Sequence, residues 1–243
     1  MKKILIAITA VLCSHTLLAQ VKEGTILYER KMDMHRRIQD EQMKAMMPQF
    51  RTSKHQLLFS DSVSIYKAVQ EEEAPDPFAD GGGNRVMFRM SAGEGEQYRN
   101  FSNQRFIESR ELGAKTYIIE DTIRQQPWKL TDETKTILNY SCKKATRKTE
   151  RGQEVEAWYT EAIPCPAGPE GFASLPGAIL QLNINNDEIV YVATAVSDKV
   201  NAKELKEPSK GKKVNRAEFA KLMQEMYGSP GQGGGNRVIR IMN

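Results

Sequence analysis

The residues Ser174-Leu175-Pro176-Gly177-Ala178-Ile179-Leu180-Gln181-Leu182 join a turn signal to a strand signal. Pro176 followed by Gly177 is a strong turn dipeptide, because proline fixes φ and glycine tolerates backbone that other residues avoid. The apolar run over 178–182 then enters a β-strand. We expect Gly177 to occupy a backbone region unfavourable to other residues. The residues 175–180 are therefore interpreted as structural before functional, although the same turn could also line a ligand groove.

Short β-prone segments with period-two alternation occur on both sides of this stretch and are separated by Gly, Asn, Asp and Pro. They cover 25–32, 56–59, 63–67, 97–101, 104–109, 116–119, 136–145, 155–160, 179–184 and 189–196. The intervals between them are too short for repeated crossover helices. The pattern predicts a mainly β fold, an antiparallel and strongly curved sheet or half-open barrel with one or two packed helices.

Two segments have helical spacing. Residues 40–47 place three methionines at helical intervals before Pro48 ends the segment. Residues 215–227 begin with Asn215 and have Glu218 at the third position, which is the pattern of a capping box. Phe219, Leu222, Met223 and Met226 then form one apolar stripe. Both segments are predicted to be helices.

The chain resembles the exported bacterial family named after its Gly-Leu-Pro-Gly-Leu-Ile box, the GLPGLI family. The box reads Ser174, Leu175, Pro176, Gly177, Ala178 and Ile179 here, so its first glycine and second leucine are replaced. Flanking words also match, and they are Cys142-Lys-Lys-Ala145, Ala157-Trp158-Tyr159-Thr160, Ile163-Pro164 and Gly168-Pro169. The resemblance implies an exported protein of Gram-negative bacteria with no established activity. It carries over no catalytic residue.

The first 19 residues predict a secretory signal peptide. Lys2 and Lys3 precede the apolar run 4–12, and Ala19 is a small residue at a plausible cleavage site. Cys13 leaves lipidation open, although a lipobox wants a small residue where Leu12 stands. We expect export to the periplasm or the outer-membrane periphery, a single β-rich domain over 20–227 with a mobile loop about 70–84, and a Gly-rich hinge with a C-terminal strand over 228–243.

Two cysteines, Cys142 and Cys165, follow the predicted cleavage site. In an exported chain an even pair predicts a disulfide bond. The alternative is a metal-binding or redox thiol pair, but the spacing differs from Cys-x-x-Cys.

A Gly-Gly-Gly-Asn-Arg-Val segment occurs twice, over 81–86 and 233–238. It is interpreted as a shared turn followed by a strand, because glycine and asparagine both tolerate positive φ. Two equivalent strands, one of them added at a sheet edge or in a partner, are the alternative.

Enzyme motifs are absent from the sequence: there is no Gly-x-Ser-x-Gly elbow, His-Glu-x-x-His or phosphate-binding loop. The chain is therefore predicted to be no enzyme and to need no cofactor. The formal net charge is +4, and removing Lys2 and Lys3 leaves it nearly balanced, so nucleic acid is not implied. No mature segment has the length of a membrane span.

One metal hypothesis remains, because Met32, Met34 and His35 offer the soft ligands that Cu(I) prefers. Filling of the core by adaptable methionines is the alternative. The leading functional hypothesis is a non-catalytic periplasmic or cell-envelope protein that holds a lipid, peptide or protein partner on a curved sheet. A structural partner of an outer-membrane assembly and a Met-rich copper-binding protein are the alternatives.

Overall fold

A computed structural model describes residues 21–69 and 95–227. The predicted signal peptide with Cys13, the loop about 70–84, both Gly-rich repeats and the C-terminal strand lie outside these residues. The described strands are β1 (Gly24–Asp33), β2 (Phe50–Phe59), β3 (Val63–Ala68), β4 (Gln97–Asn100), β5 (Arg105–Leu112), β6 (Lys115–Thr122), β7 (Lys129–Ile137), β8 (Tyr140–Lys148), β9 (Glu154–Thr160), β10 (Ala178–Ile184), β11 (Ile189–Ser197) and β12 (Lys212–Asn215).

These strands form one large, open and curved sheet with the order β12-β6-β5-β4-β3-β2-β1-β11-β10-β9-β8-β7. Neighbours are antiparallel except β12, which runs parallel to β6. Register shifts at Leu27/Tyr28, Ile179/Gln181 and Leu130/Thr134 bend three strands locally. The predicted mainly β, antiparallel and curved fold is confirmed, with the single parallel pair as an addition.

Both predicted helices are present. The helix α1 (Glu41–Met46) begins after Asp40, whose carboxylate accepts hydrogen bonds from the backbone of Gln42 and Met43. The helix α2 (Arg216–Tyr227) begins with the predicted capping box. Asn215 Oδ1 accepts from the Glu218 amide at 2.8 Å, and the Glu218 carboxylate accepts from the Asn215 amide at 3.0 Å. Only α2 contributes a buried residue, Phe219, which packs edge-on against Tyr117 of β6.

The sheet carries apolar side chains on both faces. The loop over 161–177 covers one face and buries Ile163, Ala167 and Leu175 against β1, β2 and β9–β11. Tyr28, Tyr191 and Leu182 belong to this face by strand register, and we call it the covered face. On the opposite side, Val200 and Leu205 pack on a smaller cluster from β2–β6.

One predicted strand is wrong in its extent. Residues 136–145 were expected to be a continuous strand, but β7 ends at Ile137 and β8 begins at Tyr140. Leu138 and Asn139 between them have φ of 49° and 68°, so the chain reverses there as a tight hairpin. Asn139 fits this conformation because its short polar side chain tolerates positive φ. Alternation over 136–145 masked the turn because both hairpin strands are themselves alternating.

Candidate functional site

The face of β7–β10 that lies opposite the covered face carries a continuous set of polar and charged side chains around one tryptophan. Lys144 and Gln181 are the register partners of Trp158 on its two neighbouring strands. Lys135 reaches over the ring, with its Nζ 4.1 Å from the ring centroid. We call this surface, with Lys135, Lys144, Glu156, Trp158, Gln181 and Asn183, the Trp158 face.

A chain of hydrogen bonds crosses the Trp158 face. The Lys135 ammonium donates to Gln181 Oε1 at 2.6 Å, and Gln181 Nε2 donates to Asn183 Oδ1 at 2.9 Å. Asn183 Nδ2 then donates to Asp187 Oδ1 at 2.6 Å in the turn after β10. Each amide in this chain is oriented by its neighbour and keeps further donor and acceptor capacity for a bound molecule. The surface therefore presents fixed polar groups rather than freely rotating ones.

A second group of charges orients the tryptophan itself. Glu156 accepts from the Trp158 indole Nε1 at 2.8 Å and forms an ion pair with Lys144 at 2.8 Å. Lys144 also pairs with Glu133 at 3.1 Å. Burial raises the pKa of Glu156, but the bonds from Lys144 and Trp158 outweigh it and leave the pKa below its usual range. The hydrogen bonds that Lys144 donates to Glu156 and Glu133 raise the pKa of Lys144.

On this face Lys135 is the lysine whose pKa is lowered in the folded protein. Partial burial lowers its pKa, and the attraction of Glu156 only partly offsets the effect. Its ammonium lies over the tryptophan ring and at the same time donates to Gln181. Trp158 itself keeps only 7% of its surface exposed, and the Lys135 ammonium lies over its ring.

The predicted disulfide bond is wrong, since Cys142 and Cys165 are both free and buried in the structure. Cys142 is two residues from Lys144 on β8 and so points to the Trp158 face. Cys165 lies in the loop over the covered face, beside Arg99 and Tyr28. The sheet therefore separates the two thiols. Desolvation raises the pKa of Cys142 to about 11 and that of Cys165 to about 12, which keeps both neutral.

Residues 174–177 of the Ser174–Ile179 box form the turn that leads into β10, and Ala178 and Ile179 are the first two residues of that strand. Leu175, Ala178 and Ile179 are buried in the core, whereas Pro176 is exposed. The backbone hydrogen bond from Ala178 N to Ile163 O, 2.9 Å long, ties the start of β10 to the covering loop. The two neighbouring aromatics, Tyr159 and Trp158, are both buried but belong to opposite faces of the sheet.

Gly177 is constrained differently from the prediction. Positive φ occurs at Ser174, with 73°, and not at Gly177. A Cβ on Gly177 would lie 1.9 Å from the backbone oxygen of Thr160. Close approach of two backbone segments thus requires this glycine, and the expected special φ was wrong.

The metal candidates fall into different environments. Met32 and Met34 are buried, and the Nε2 of His35 lies 3.0 Å from the backbone oxygen of Met47. The methionines of α1 are exposed, and Met46 is the most exposed of them at 79%. Among residues 21–69 and 95–227, no group of three His, Cys, Asp or Glu side chains is placed to hold a metal ion. The copper hypothesis stays a prediction.

Most of the Trp158 face was not identified from sequence, because its members come from four strands. The sequence signal that could have found them is the alternation of strand residues between the two faces of a sheet. The polar members of the Trp158 face lie at alternating positions of β-prone segments, and they are Lys135, Lys144, Glu156, Gln181 and Asn183. Strand pairing decides which of those positions become neighbours. Trp158 was singled out from the sequence, but only as part of the resemblance to the GLPGLI family.

The fold and this surface define a β-sheet module with a polar face around a largely buried tryptophan. The family model described as N-glycanase peptide, N-terminal domain, matches residues 94–221, which is more than half of the chain. The chain belongs to this family. The resemblance to the GLPGLI family was therefore wrong. The short sequence segments that suggested the GLPGLI family lie in turns and strands of an antiparallel sheet, and unrelated sheets can share such segments.

The same fold occurs in solved structures of PNGF-II. Two crystal forms of PNGF-II match with a TM-score of 0.57 and 14% sequence identity, covering 84% of this chain. The chain spans about a third of their length, 34% and 33%. An uncharacterized conserved protein from Thermus thermophilus matches with a TM-score of 0.42 and 6% identity over 81% of this chain and 91% of its own. No curated protein matches the sequence.

Within the described ranges, no helix is both long enough and apolar enough to cross a bilayer.

Proposed function

We propose that this chain is an exported, non-catalytic module that binds the carbohydrate of N-linked glycoproteins through the Trp158 face. The observation that carries the proposal is the oriented line of side chains from Lys135 through Gln181 and Asn183 to Asp187, next to an indole ring. Amide and carboxylate groups match the hydroxyl groups of sugars as donors and acceptors. An aromatic ring offers the apolar area on which the less polar side of a sugar ring can rest.

Family membership supports the choice of ligand. The family takes its description from the N-terminal domain of an N-glycanase, and residues 94–221 of the match include all of β7–β10. The proposal places the binding of the glycan, and not its cleavage, in this chain. The signal-like first 19 residues support the exported location.

A lipid is a weaker ligand for this sheet. Apolar side chains of the covering loop, among them Ile163, Ala167 and Leu175, already occupy the covered face. The open face is polar, so acyl chains would gain little apolar burial there. The proposed ligand is therefore a carbohydrate.

The test measures binding of the purified chain to one glycoprotein in its glycosylated and enzymatically deglycosylated forms. We expect binding only to the glycosylated form, and a loss of at least tenfold in affinity for Asn183→Ala and Gln181→Ala. Arg105→Ala is the matched control, because Arg105 is a polar residue on β5, far along the same sheet. Equal binding of both glycoprotein forms would overturn the proposal. Released glycan, detected by mass spectrometry after long incubation, would contradict the non-catalytic role.

A second candidate function is docking of a protein partner at the edge of the sheet. Among the described residues β7 pairs only with β8, so its outer edge is open to another strand. Such an edge can accept an extended segment by backbone hydrogen bonding. Thr134→Pro, on this edge, would abolish partner capture while leaving glycan binding unchanged if the edge is the docking site. Pull-down from envelope extracts with the wild-type chain and with Thr134→Pro, together with the glycoprotein-binding assay, distinguishes the two functions.

A further inference from the structure

A small group of buried polar side chains lies on the covered face away from the Trp158 face. Ser64 of β3 and Arg99 of β4 are register partners, and Tyr66 pairs with Gln97 next to them. All four are at least nine-tenths buried, with Ser64 at 0% and Arg99 at 2% exposure. A polar atom of each lacks a hydrogen-bond partner in the described part of the chain: Ser64 Oγ, Tyr66 OH, Gln97 Oε1 and Arg99 Nη1.

Arg99 is the unusual member of this group because it is a buried charge. Burial lowers its pKa to about 10, so the guanidinium remains positively charged at neutral pH. Its opposite charge, Glu108, is already held by Arg110, with 2.7 Å between Nε and Oε1. These three side chains together carry one net positive charge. A buried charge of this kind needs a partner, because an uncompensated charge in the protein interior is strongly destabilising.

The short turn Pro169–Gly171 closes over the group. Gly171 has φ of +80°, and a Cβ there would lie 3.5 Å from Arg99 Nη2 and 3.4 Å from Gln97 Oε1. Because Gly171 has no side chain, the turn leaves this edge of the Arg99 guanidinium uncovered. Gln126 fixes the turn by donating from Nε2 to the Gly171 oxygen at 2.9 Å.

The same turn also carries a carboxylate, Glu170, which is engaged elsewhere. Its Oε1 accepts a hydrogen bond from the Tyr191 hydroxyl at 2.5 Å. The salt bridges of the described residues do not include one between Glu170 and Arg99. Arg99 lies over the Phe106 ring at 5.0 Å and is attracted by the charge of Glu108. Its Nη1 nevertheless has no hydrogen-bond partner in the described part of the chain, and it is this atom that can bind an anion.

We propose that Arg99 and Ser64 form a buried binding site for one small monovalent anion, with chloride as the physiological occupant. The guanidinium Nη1 and the serine hydroxyl are both hydrogen-bond donors without a partner in the described residues, and their residues are register partners on neighbouring strands. A single negative charge neutralises the net positive charge of Arg99, Arg110 and Glu108. A divalent anion such as phosphate would exceed that charge and would meet the Glu108 carboxylate.

Thermal unfolding of the full chain tests the site. The melting temperature is measured in sodium gluconate solutions in which increasing amounts of gluconate are replaced by chloride or bromide at constant ionic strength. The melting temperature of the wild-type chain should rise by about 3 °C and then saturate. Arg99→Met should show no saturating rise, and Ser64→Ala should need several-fold more halide. Arg105→Met, on the neighbouring strand, is the matched control and should keep the wild-type response.

Bromide gives an independent readout that does not depend on a stable variant. Crystals of the wild-type chain soaked in bromide should show an anomalous peak within hydrogen-bond distance of Arg99 Nη1. The absence of that peak, or an equal response of Arg99→Met and wild type to halide, would overturn the proposal. If Arg99→Met does not fold, Ser64→Ala and the bromide peak decide the question.

Discussion

The covered face and the Trp158 face of one sheet use the same kinds of residues in opposite ways. Both combine aromatic rings with Lys or Arg and with Glu. On the Trp158 face the polar atoms form hydrogen bonds to one another and reach solvent, as in the line from Lys135 to Asn183. On the covered face Arg99, Gln97 and Tyr66 are buried with polar atoms that lack such partners. The difference teaches that exposure, and not composition, separates a recognition surface from a buried polar site.

The comparison predicts that substitutions on the covered side change stability, whereas those on the Trp158 face change binding. Gly177→Ala should have the largest effect, a loss of about 3 kcal/mol in unfolding free energy, because its Cβ would collide with Thr160 O. Gly152→Ala is the control. Gly152 has φ of +79° but no atom within 4 Å of a Cβ, so only about 1 kcal/mol should be lost. Urea unfolding measures both, and equal losses would show that backbone approach is not the constraint.

Two buried tyrosines on the covered face sharpen the comparison further. Tyr28 OH donates to the Ile179 oxygen at 2.7 Å, so Tyr28→Phe should cost about 1–2 kcal/mol by leaving that carbonyl unsatisfied. Tyr66 OH has no such partner in the described residues, so Tyr66→Phe should change stability by less than about 0.5 kcal/mol. Paired denaturation curves check this. A Tyr66→Phe loss as large as that of Tyr28→Phe would show that the Tyr66 hydroxyl is bonded in solution.

The buried thiol of Cys165 predicts a pH dependence at the alkaline end. Its pKa is about 12 in the folded protein against 9.0 unfolded, so the neutral thiol stabilises the fold fully below pH 9. That stability is lost as the pH rises from 9 towards 12, by about 1 kcal/mol per unit. Cys165→Ala should show a shallower decline in unfolding free energy over this range.

Alkylation of the denatured, non-reduced chain should label Cys142 and Cys165 separately, because both thiols are free in the structure. A peptide in which the two cysteines are linked would contradict the free thiols.

The smallest expected effect is an acid dependence on the Trp158 face. The pKa of Glu156 is lowered in the folded state, so its contribution is present above the unfolded value of 4.5 and is lost as the pH falls through the folded pKa. Glu156→Gln should therefore flatten the loss of stability between pH 5 and pH 3. Glu23→Gln, at an exposed position, is the control. Identical pH profiles for wild type and Glu156→Gln would show that the pairing with Lys144 is not maintained in solution.

Sequence patterns located most elements but not their partners. Alternation identified nearly every strand, and the Asn215–Glu218 box identified the start of α2, because these are properties of a few consecutive residues. The hairpin turn at Leu138 and Asn139 was missed, since both flanking strands alternate. Most of the strand β7, residues 129–135, was missed as well. So was the strand β12, because its four residues, Lys212–Asn215, carry little pattern of their own. The assignment of the family was wrong because short turn and core words are not specific to one family.

The sequence by itself determined the mainly β class, the two helices and the importance of the Pro176-Gly177 turn, because hydrophobic period and turn chemistry are local. Tertiary structure alone decided that Cys142 and Cys165 lie on opposite faces, that Gly177 is needed for close approach to Thr160, and that Lys135, Trp158 and Gln181 meet on one surface. These facts depend on strand order and register. A shift of one residue in register moves every side chain of a strand to the other face, and no local pattern records which partner strand a segment will find.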